Sequence, residues 1–317
     1  MQSKRKAPGG EPHRTERVAS ATAAIDTDAG ARLSPGLYLV STPIGNAADI
    51  TLRALDVLAR ADAIAAEDTR QTRKLMEIHG IALGGRPMTP YHDRNGPQAR
   101  PRIARWLEQG LAVAYCTDAG SPLVADPGYR LAQLAIADGH PMTTVPGASA
   151  LLAALPLAGL PTDRFLFAGF LPARAGERRR ALSAIAPLRA TLVFYESPRR
   201  LAASLADMAA VLGEERPAAV ARELTKLHEE VLRGALGALA ARVAAGAPPR
   251  GEIVVMVGPP GEAAGAPAGE LDAALREALG RMSVKDAARE VAARLGLPRR
   301  DVYARALAVA EGGNGAR

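Results

Sequence analysis

Short apolar runs alternate with helical patterns along the first half of the chain. Leu37–Val40, Ala63–Ala66, Leu111–Cys116 and Pro141–Val145 read as strands, each bounded by small or polar residues. Between them, Leu52, Leu55, Val57 and Leu58 mark a helix that Asp49 or Thr51 can cap, and a second helix runs from Gln71 to His79. Met88 enters an edge strand that leads into the polar loop 91–95, and Ile103, Trp106 and Leu107 mark a third helix. Pro127 and Gly128 open a fourth, which continues as Tyr129, Leu131, Leu134 and Ala135. A small-residue helix covers Leu151 to Leu160. This β-α-β-α order predicts a mostly parallel sheet.

The second half changes character. Phe165–Phe170, Thr191–Tyr195, Ala218–Ala221, His228–Arg233 and Ile253–Val257 read as strands, and Leu236–Val243 as a helix. Arg174 to Arg180 reads as a basic loop carrying four arginines. A second α/β domain with more antiparallel pairing is expected. Gly258 to Gly269 is a Gly/Pro/Ala linker, followed by three short helices. Leu271, Leu275 and Leu279 lie on the first. Ser283 with Asp286 opens the second, whose stripe is Val284, Ala287, Ala288, Val291 and Leu295, and Gly296 ends it. Pro298 turns into the third, with Val302, Tyr303, Ala306 and Leu307. The spacing is that of a helix-turn-helix, with Arg294, Arg299, Arg300 and Arg305 near the turn. The expected organisation is a disordered basic tail at 1–32, α/β domains at 33–146 and 147–258, a linker at 259–269 and a helical RNA-binding candidate at 270–312.

Composition adds bounds. The 317 residues suffice for two domains or slightly more. A net charge of +7 suits a polyanionic partner. The single cysteine, Cys116, sits in an apolar strand, so neither an internal disulfide nor a Cys-rich metal site is expected, and the scattered histidines suggest no metal. No apolar run reaches the length of a membrane span, and the basic N-terminal stretch lacks the apolar segment of a secretion signal. A cytoplasmic protein is the default.

The chemistry concentrates at strand ends. Leu111–Cys116 runs directly into Thr117-Asp118-Ala119-Gly120-Ser121-Pro122, and similar small-residue loops occupy 41–46 and 146–150. Such loops place bare backbone N–H groups at the carboxyl edge of a sheet, where open α/β sheets bind ligands. There is no phosphate-loop, dinucleotide or nucleophile-elbow fingerprint. The loops suit a neutral or zwitterionic cofactor held by main-chain groups.

Six ordered motifs make the pattern specific: Val40–Asn46, Glu67–Arg70, Thr117–Pro122, Pro146–Ala150, Phe194–Pro198 and Arg222–Lys226. Together they closely resemble the tetrapyrrole methylase (class III) superfamily, in its branch acting on small-subunit ribosomal RNA. The resemblance implies S-adenosylmethionine-dependent 2′-O-methylation of a cytidine in the decoding region of 16S rRNA. It also implies two α/β domains with the cofactor in the cleft between them, and a homodimer; neither a membrane nor a DNA partner is expected. Carried over by motif, the cofactor contacts are Pro43, Gly120, Ser121, Val124, Ser149, Ala150 and Tyr195. For the transfer itself the polar strand-end residues Glu67, Asp68, Arg70, Glu196, Glu223 and Lys226 stand as candidates, with Asp68 and Lys226 foremost. A carboxylate can accept the hydroxyl proton, and Arg70 or Lys226 can stabilise an alkoxide or hold a phosphate. The competing readings are a corrin- or porphyrin-precursor methyltransferase of the same fold, a non-catalytic RNA-binding protein, and a protein methyltransferase.

Overall fold

The computed structural model describes residues 32–92, 94–125, 128–261, 268–295, 297 and 299–314. Residues 1–31 of the tail expected at 1–32, Pro127, Gly296, Pro298 and most of the linker lie outside the described residues. The chain forms two compact units: one runs to Leu157 and takes in Ala221–Val231, and the other comprises Ala158–Val220 and Leu232–Arg317.

The first unit holds strands β1 (Gly36–Val40), β2 (Ala63–Ala66), β3 (Met88–Pro90), β4 (Ala112–Cys116) and β5 (Met142–Val145). Its helices are α1 (Leu52–Arg60), α2 (Thr69–Ile78), α3 (Gly96–Glu108), α4 (Tyr129–Ala137) and α5 (Ala150–Ala158). Thr51, rather than Asp49, caps α1, its hydroxyl accepting the Ala54 N–H at 3.1 Å. The sheet order is β3-β2-β4-β1-β5, and the pairs of β1 with β4 and β5, and of β2 with β3 and β4, are all parallel.

Successive residues of the strands point to opposite faces, and both faces are covered. Leu37, Leu39, Val113 and Tyr115 pack with Ile103 and Leu107 of α3 and Leu131 and Ala135 of α4. Val40, Ile64, Ala114 and Cys116 pack with Val57 and Leu58 of α1 and Met76 of α2. Two buried faces explain why the strands read as continuous apolar runs. Burial pushes the Cys116 thiol up to about 12, which fits its packing role. On α4 the buried stripe is Leu131, Ala132 and Ala135, while Tyr129 is exposed and shares a hydrogen bond with Gln133.

From β1 the chain crosses β4 to reach β2, and from β4 it crosses β1 to reach β5. Connections leave these two adjacent strands in opposite directions. Their carboxyl ends therefore flank the topological switch point, the crevice where such sheets bind ligands.

The second sheet has the order β6-β7-β10-β8-β9, from β6 (Phe165–Phe170), β7 (Thr191–Glu196), β8 (Pro217–Arg222), β9 (Glu230–Ala235) and β10 (Ile253–Val257). β6 runs parallel to β7, and β7 antiparallel to β10. The intervening helices are α6 (Ala175–Ile185), α7 (Leu201–Leu212) and α8 (Leu236–Ala245). Leu182, Phe194, Leu205, Val220, Leu239 and Val255 share its core.

The basic stretch 174–180 is helix from Ala175 on, with Arg174 at its N-cap, and not loop. Ala, Glu, Arg and Leu are strong helix formers, and Glu177 complements the positive end of α6. Arg178 lies one turn before the buried Leu182 and faces the same way. It is itself buried, its Nε donating to Asp207 Oδ2 at 2.7 Å, while Arg179 Nε donates to Asp207 Oδ1 at 2.6 Å. Two of the four arginines are therefore committed to one buried carboxylate.

Helices α9 (Ala268–Leu279), α10 (Val284–Leu295) and α11 (Arg299–Asn314) form a small bundle around Leu275, Ala278, Ala288, Val291, Val302 and Ala306. Ser283 caps α10, its hydroxyl accepting the Asp286 N–H at 3.2 Å. Tyr303 and Leu307 do not continue the buried stripe and remain 43% and 40% exposed. Val302 and Ala306 face the bundle, and the next residue along a helix turns about 100° away. No helix of the described residues is long and apolar enough to cross a membrane.

Candidate functional site

The loops that follow β1, β4 and β5 are tied into one cradle by main-chain bonds and by side-chain hydroxyls. Thr42 and Gly120 exchange both hydrogen bonds, Thr42 N–H to Gly120 O at 2.9 Å and Gly120 N–H to Thr42 O at 3.0 Å. The Thr42 hydroxyl donates to Thr117 O at 3.1 Å. Ser121 Oγ donates to Ala148 O at 3.1 Å, joining the second loop to the third. Ser41 reaches both neighbours: its N–H donates to Val145 O, and its hydroxyl lies 3.4 Å from that of Ser121.

Two glycines are required by this geometry. Gly120 has φ +82°, a left-handed conformation that costs an L side chain about 1–2 kcal/mol. A Cβ on Gly147 would lie 2.9 Å from Ser41 Cβ, so the third loop approaches the first only because the methyl group is absent. Leu123 (φ 68°) and Ala125 (φ 61°) hold the same strained region without that excuse. Strain of this kind concentrates at ligand sites.

The segment after β8 closes over the first loop. Thr225 Oγ1 accepts the Asn46 N–H at 3.2 Å, and a Cβ on Gly45 would lie 2.8 Å from the same oxygen. Glu223 (φ 51°) and Thr225 (φ 64°) are both left-handed, and for a β-branched threonine this is a genuine outlier. Glu229 Oε2 holds the strained turn by accepting the Thr225 N–H at 2.6 Å. Lys226 Nζ donates to Glu223 Oε1 at 2.8 Å.

A charged knot lies at the ends of β2 and β4. Glu67 Oε2 accepts the Asp118 N–H at 3.1 Å, and Asp118 Oδ1 accepts the Asp68 N–H at 2.8 Å. Asp68 Oδ1 accepts the Arg70 N–H at 2.8 Å and so caps α2. The Arg70 side chain binds Asp68 in a fork, Nε to Oδ1 at 3.1 Å and Nη2 to Oδ2 at 2.8 Å. Arg70 thereby holds the Asp68 carboxyl at about 2. Asp118 moves the other way: partial burial, with the Asp68 charge nearby, raises it above the ordinary carboxylate value.

Of the residues expected from the sequence, Pro43, Gly120, Ser121, Ser149 and Ala150 line or adjoin the cradle. Val124 follows it between the two strained residues. Glu67, Asp68 and Arg70 share the knot, and Lys226 belongs to the strap over Gly45. Tyr195 lies on β7 of the second unit, half-buried and edge-on to Phe167 at 4.7 Å between ring centroids. Glu196 is buried and already satisfied, accepting from the Ser197 N–H and from Ser204 Oγ, which marks it as a structural group. Asp118 was missed as a chemical candidate. It stands in the most conspicuous motif of the chain, yet its partnership with Asp68 depends on β2 and β4 being neighbours.

Comparisons with known proteins agree with this architecture. The family model for Tetrapyrrole (Corrin/Porphyrin) Methylases matches residues 36–240, and that for the RsmI C-terminal HTH domain matches residues 265–310. The chain is 50% identical over 275 residues to "Ribosomal RNA small subunit methyltransferase I" of Mesorhizobium japonicum, covering 87% of this chain and 92% of the relative. It is 51% identical over 275 residues to the protein of that name from Erythrobacter litoralis, covering 87% and 95%. Among solved structures, a cobalt precorrin-4 methyltransferase superposes with a TM-score of 0.54 at 17% identity, over 70% of this chain and 94% of that one. That likeness concerns the fold alone. The chain belongs to the tetrapyrrole methylase family and, within it, to the ribosomal RNA small subunit methyltransferase I group.

Proposed function

We propose that this protein transfers a methyl group from S-adenosylmethionine to small-subunit ribosomal RNA, at the ribose 2′-hydroxyl of a cytidine in the 16S decoding region. It works as a cytoplasmic homodimer, with residues 270–312 contributing to RNA binding. The observation that carries the reading is the cradle: three small-residue loops, locked by main-chain and hydroxyl hydrogen bonds at the switch point, in which Gly147 leaves no space for a Cβ. The names of relatives at 43–51% identity support the RNA substrate. A uroporphyrin-III C-methyltransferase of the same fold was crystallised with S-adenyl homocysteine, which supports the cofactor class.

The residues present fit such a cofactor. Ser121, Ala148, Ser149 and Ala150 are small enough to admit an adenosyl group. Main-chain N–H groups of the first turn of α5 can meet a carboxylate. Pro43 and Val124 complete the proposed contacts within this unit. When bound, the cofactor supplies an electrophilic methyl group that leaves behind a neutral thioether. The protein must then align the ribose oxygen with the methyl carbon and receive a proton. Asp118, with its raised carboxyl and an oxygen beyond the one holding Asp68 N–H, is the better proton acceptor of the knot. Asp68 stays ionised and fixes Arg70. Arg70 and Lys226 offer cationic groups to phosphate or to the developing alkoxide, with Glu67 bracing the knot from behind.

The test is methyl transfer from labelled S-adenosylmethionine into purified small subunits that lack the modification, followed by nuclease mapping. Label in a 2′-O-methylcytidine is expected. Absence of label, with cofactor binding demonstrated, overturns the reading in favour of a small-molecule methyltransferase.

A further inference from the structure

The bundle α9–α11 carries a concave face that the cradle does not use. A hollow of about 540 Å³ opens between α10 and α11, lined by Lys285, Ala288, Arg289, Arg299, Arg300 and Tyr303. Four of these six residues are cationic and none is acidic. Elsewhere in the bundle the guanidinium groups are matched by carboxylates. Arg305 forks onto Asp272 at 2.7 and 2.6 Å, Arg281 meets Glu277 and Glu290, and Arg294 meets Glu277. In the hollow, Arg289 pairs with Asp286 at 2.7 Å, whereas Lys285 and Arg299 form no ion pair among the described residues. Guanidinium charge is thus matched around the bundle, while Lys285 and Arg299 bring to this concavity cations with no ion pair among the described residues. Tyr303 stands in that concavity 43% exposed, beside the small Ala288.

We propose that this hollow is a subsite for one unpaired nucleotide of the RNA, its base stacked on Tyr303 and its flanking phosphates held by Lys285, Arg289 and Arg299. The proposal rests on the RNA-substrate reading and adds the form in which the RNA is recognised. Cations alone would serve a duplex backbone equally well. An aromatic face beside them favours a base splayed out of its stack, because a paired base offers no free face. The volume lies in the range that accepts a small ligand.

The experiment uses the full-length protein and a fluorescent single-stranded RNA of ~12 nucleotides, with a duplex of the same length as comparison. Binding is read by anisotropy across a salt series, and methylation of small subunits is scored on the same preparations. The single strand is expected to bind more tightly than the duplex. Tyr303→Ala should weaken it about tenfold and Tyr303→Phe less than about twofold, because the ring and not the hydroxyl does the stacking. Lys285→Ala or Arg299→Ala should lower the salt slope by about one each. Single-strand binding indifferent to Tyr303→Ala, or weakened equally by Tyr303→Phe, overturns the subsite even if methylation proceeds. Tyr303-dependent binding by a protein that methylates no RNA supports the subsite and overturns the methylation reading instead.

Discussion

Asp118 receives the backbone N–H of Asp68 at 2.8 Å, tying the carboxyl end of β4 to that of β2. The two carboxyls are pushed in opposite directions: that of Asp68 to about 2 by Arg70, that of Asp118 upward by partial burial and the neighbouring charge. Groups driven apart in this way mark candidate acid–base chemistry. Asp118→Asn keeps an oxygen for the Asp68 N–H but removes the proton acceptor. We expect kcat to fall by ~10²-fold or more, with cofactor affinity unchanged. The acid limb of the wild-type rate should lie above the ordinary aspartate value of about 3.9 and vanish in the variant. Because the Asp118 carboxyl is raised on folding, the folded chain holds more protons than the unfolded one in that window. Its contribution to stability therefore falls as pH rises through it. Thermal melting at pH 7 should accordingly find Asp118→Asn no less stable than the parent. An unchanged rate removes Asp118 from the reaction.

Gly147 and Gly176 form a matched pair for testing the cradle. A Cβ on Gly147 meets Ser41 Cβ at 2.9 Å, whereas one on Gly176, within α6, meets nothing within 4 Å. Gly147→Ala must push the third loop off the first, at a cost of about 1–3 kcal/mol. S-adenosylmethionine affinity by calorimetry should fall by ~5–150-fold, the equivalent of that energy. Gly176→Ala should leave affinity alone and raise stability by up to ~1 kcal/mol through helix propensity. Equal cofactor affinity in the two variants would show that the loop contact is irrelevant to binding.

Arg178 and Asp207 make the second unit sensitive to single substitutions. Both are buried, and Arg179 closes the carboxylate from its other side. Burial opposes ionisation of Asp207, but the hydrogen bonds from Arg179 and Arg178 outweigh it and lower the carboxyl. A lowered carboxyl gives stability that is full above its unfolded value and is lost as pH falls through the folded one. Asp207→Ala strands the Arg178 guanidinium and should cost about 3–5 kcal/mol in denaturant unfolding at pH 7. Replacing the pair together, Asp207→Leu with Arg178→Met, should recover most of the loss. A double variant as unstable as the single one refutes this account.

What could be read from the chain follows from where each constraint resides. Apolar runs bounded by small residues, such as Ala63–Ala66 and Ile253–Val257, are local signals, and the strands lie where they predict. The arginines at 174–180 misled because a charge run usually marks a solvated segment. Arg178 is buried only because Asp207 waits on α7, and nothing near Arg178 in sequence reveals that. The Asp68–Asp118 bond spans 50 residues and depends on strand order. The meeting of Asn46 with Thr225 spans 179 and depends on left-handed turns at non-glycine residues, which composition does not signal. Local patterns therefore outlined the loops of the site, while the partners of its charged groups came from topology.

Lys226 completes the tests of the charged groups. Its strap is pinned by Glu229 and by Asn46, so the side chain is presented from a turn that is already strained and held. Its ammonium is matched to Glu223 at 2.8 Å, a part-buried ion pair that keeps the charge fixed until a phosphate or alkoxide competes for it. Lys226→Ala should leave the strap folded, because Thr225 and Glu229 make its main bonds, and should lower kcat more than cofactor affinity. Lys226→Arg should restore RNA affinity more than rate, since guanidinium binds phosphate well but differs in reach and geometry. Asp68→Ala releases Arg70 and the cap of α2 together, so Asp68→Asn, which keeps a capping oxygen, is the cleaner partner variant. If Lys226→Ala and Asp68→Asn each hold the methylation rate within about threefold, less than ~0.7 kcal/mol of barrier, neither side chain acts in the transfer. Asp118 and the main-chain cradle would then have to account for the chemistry without them.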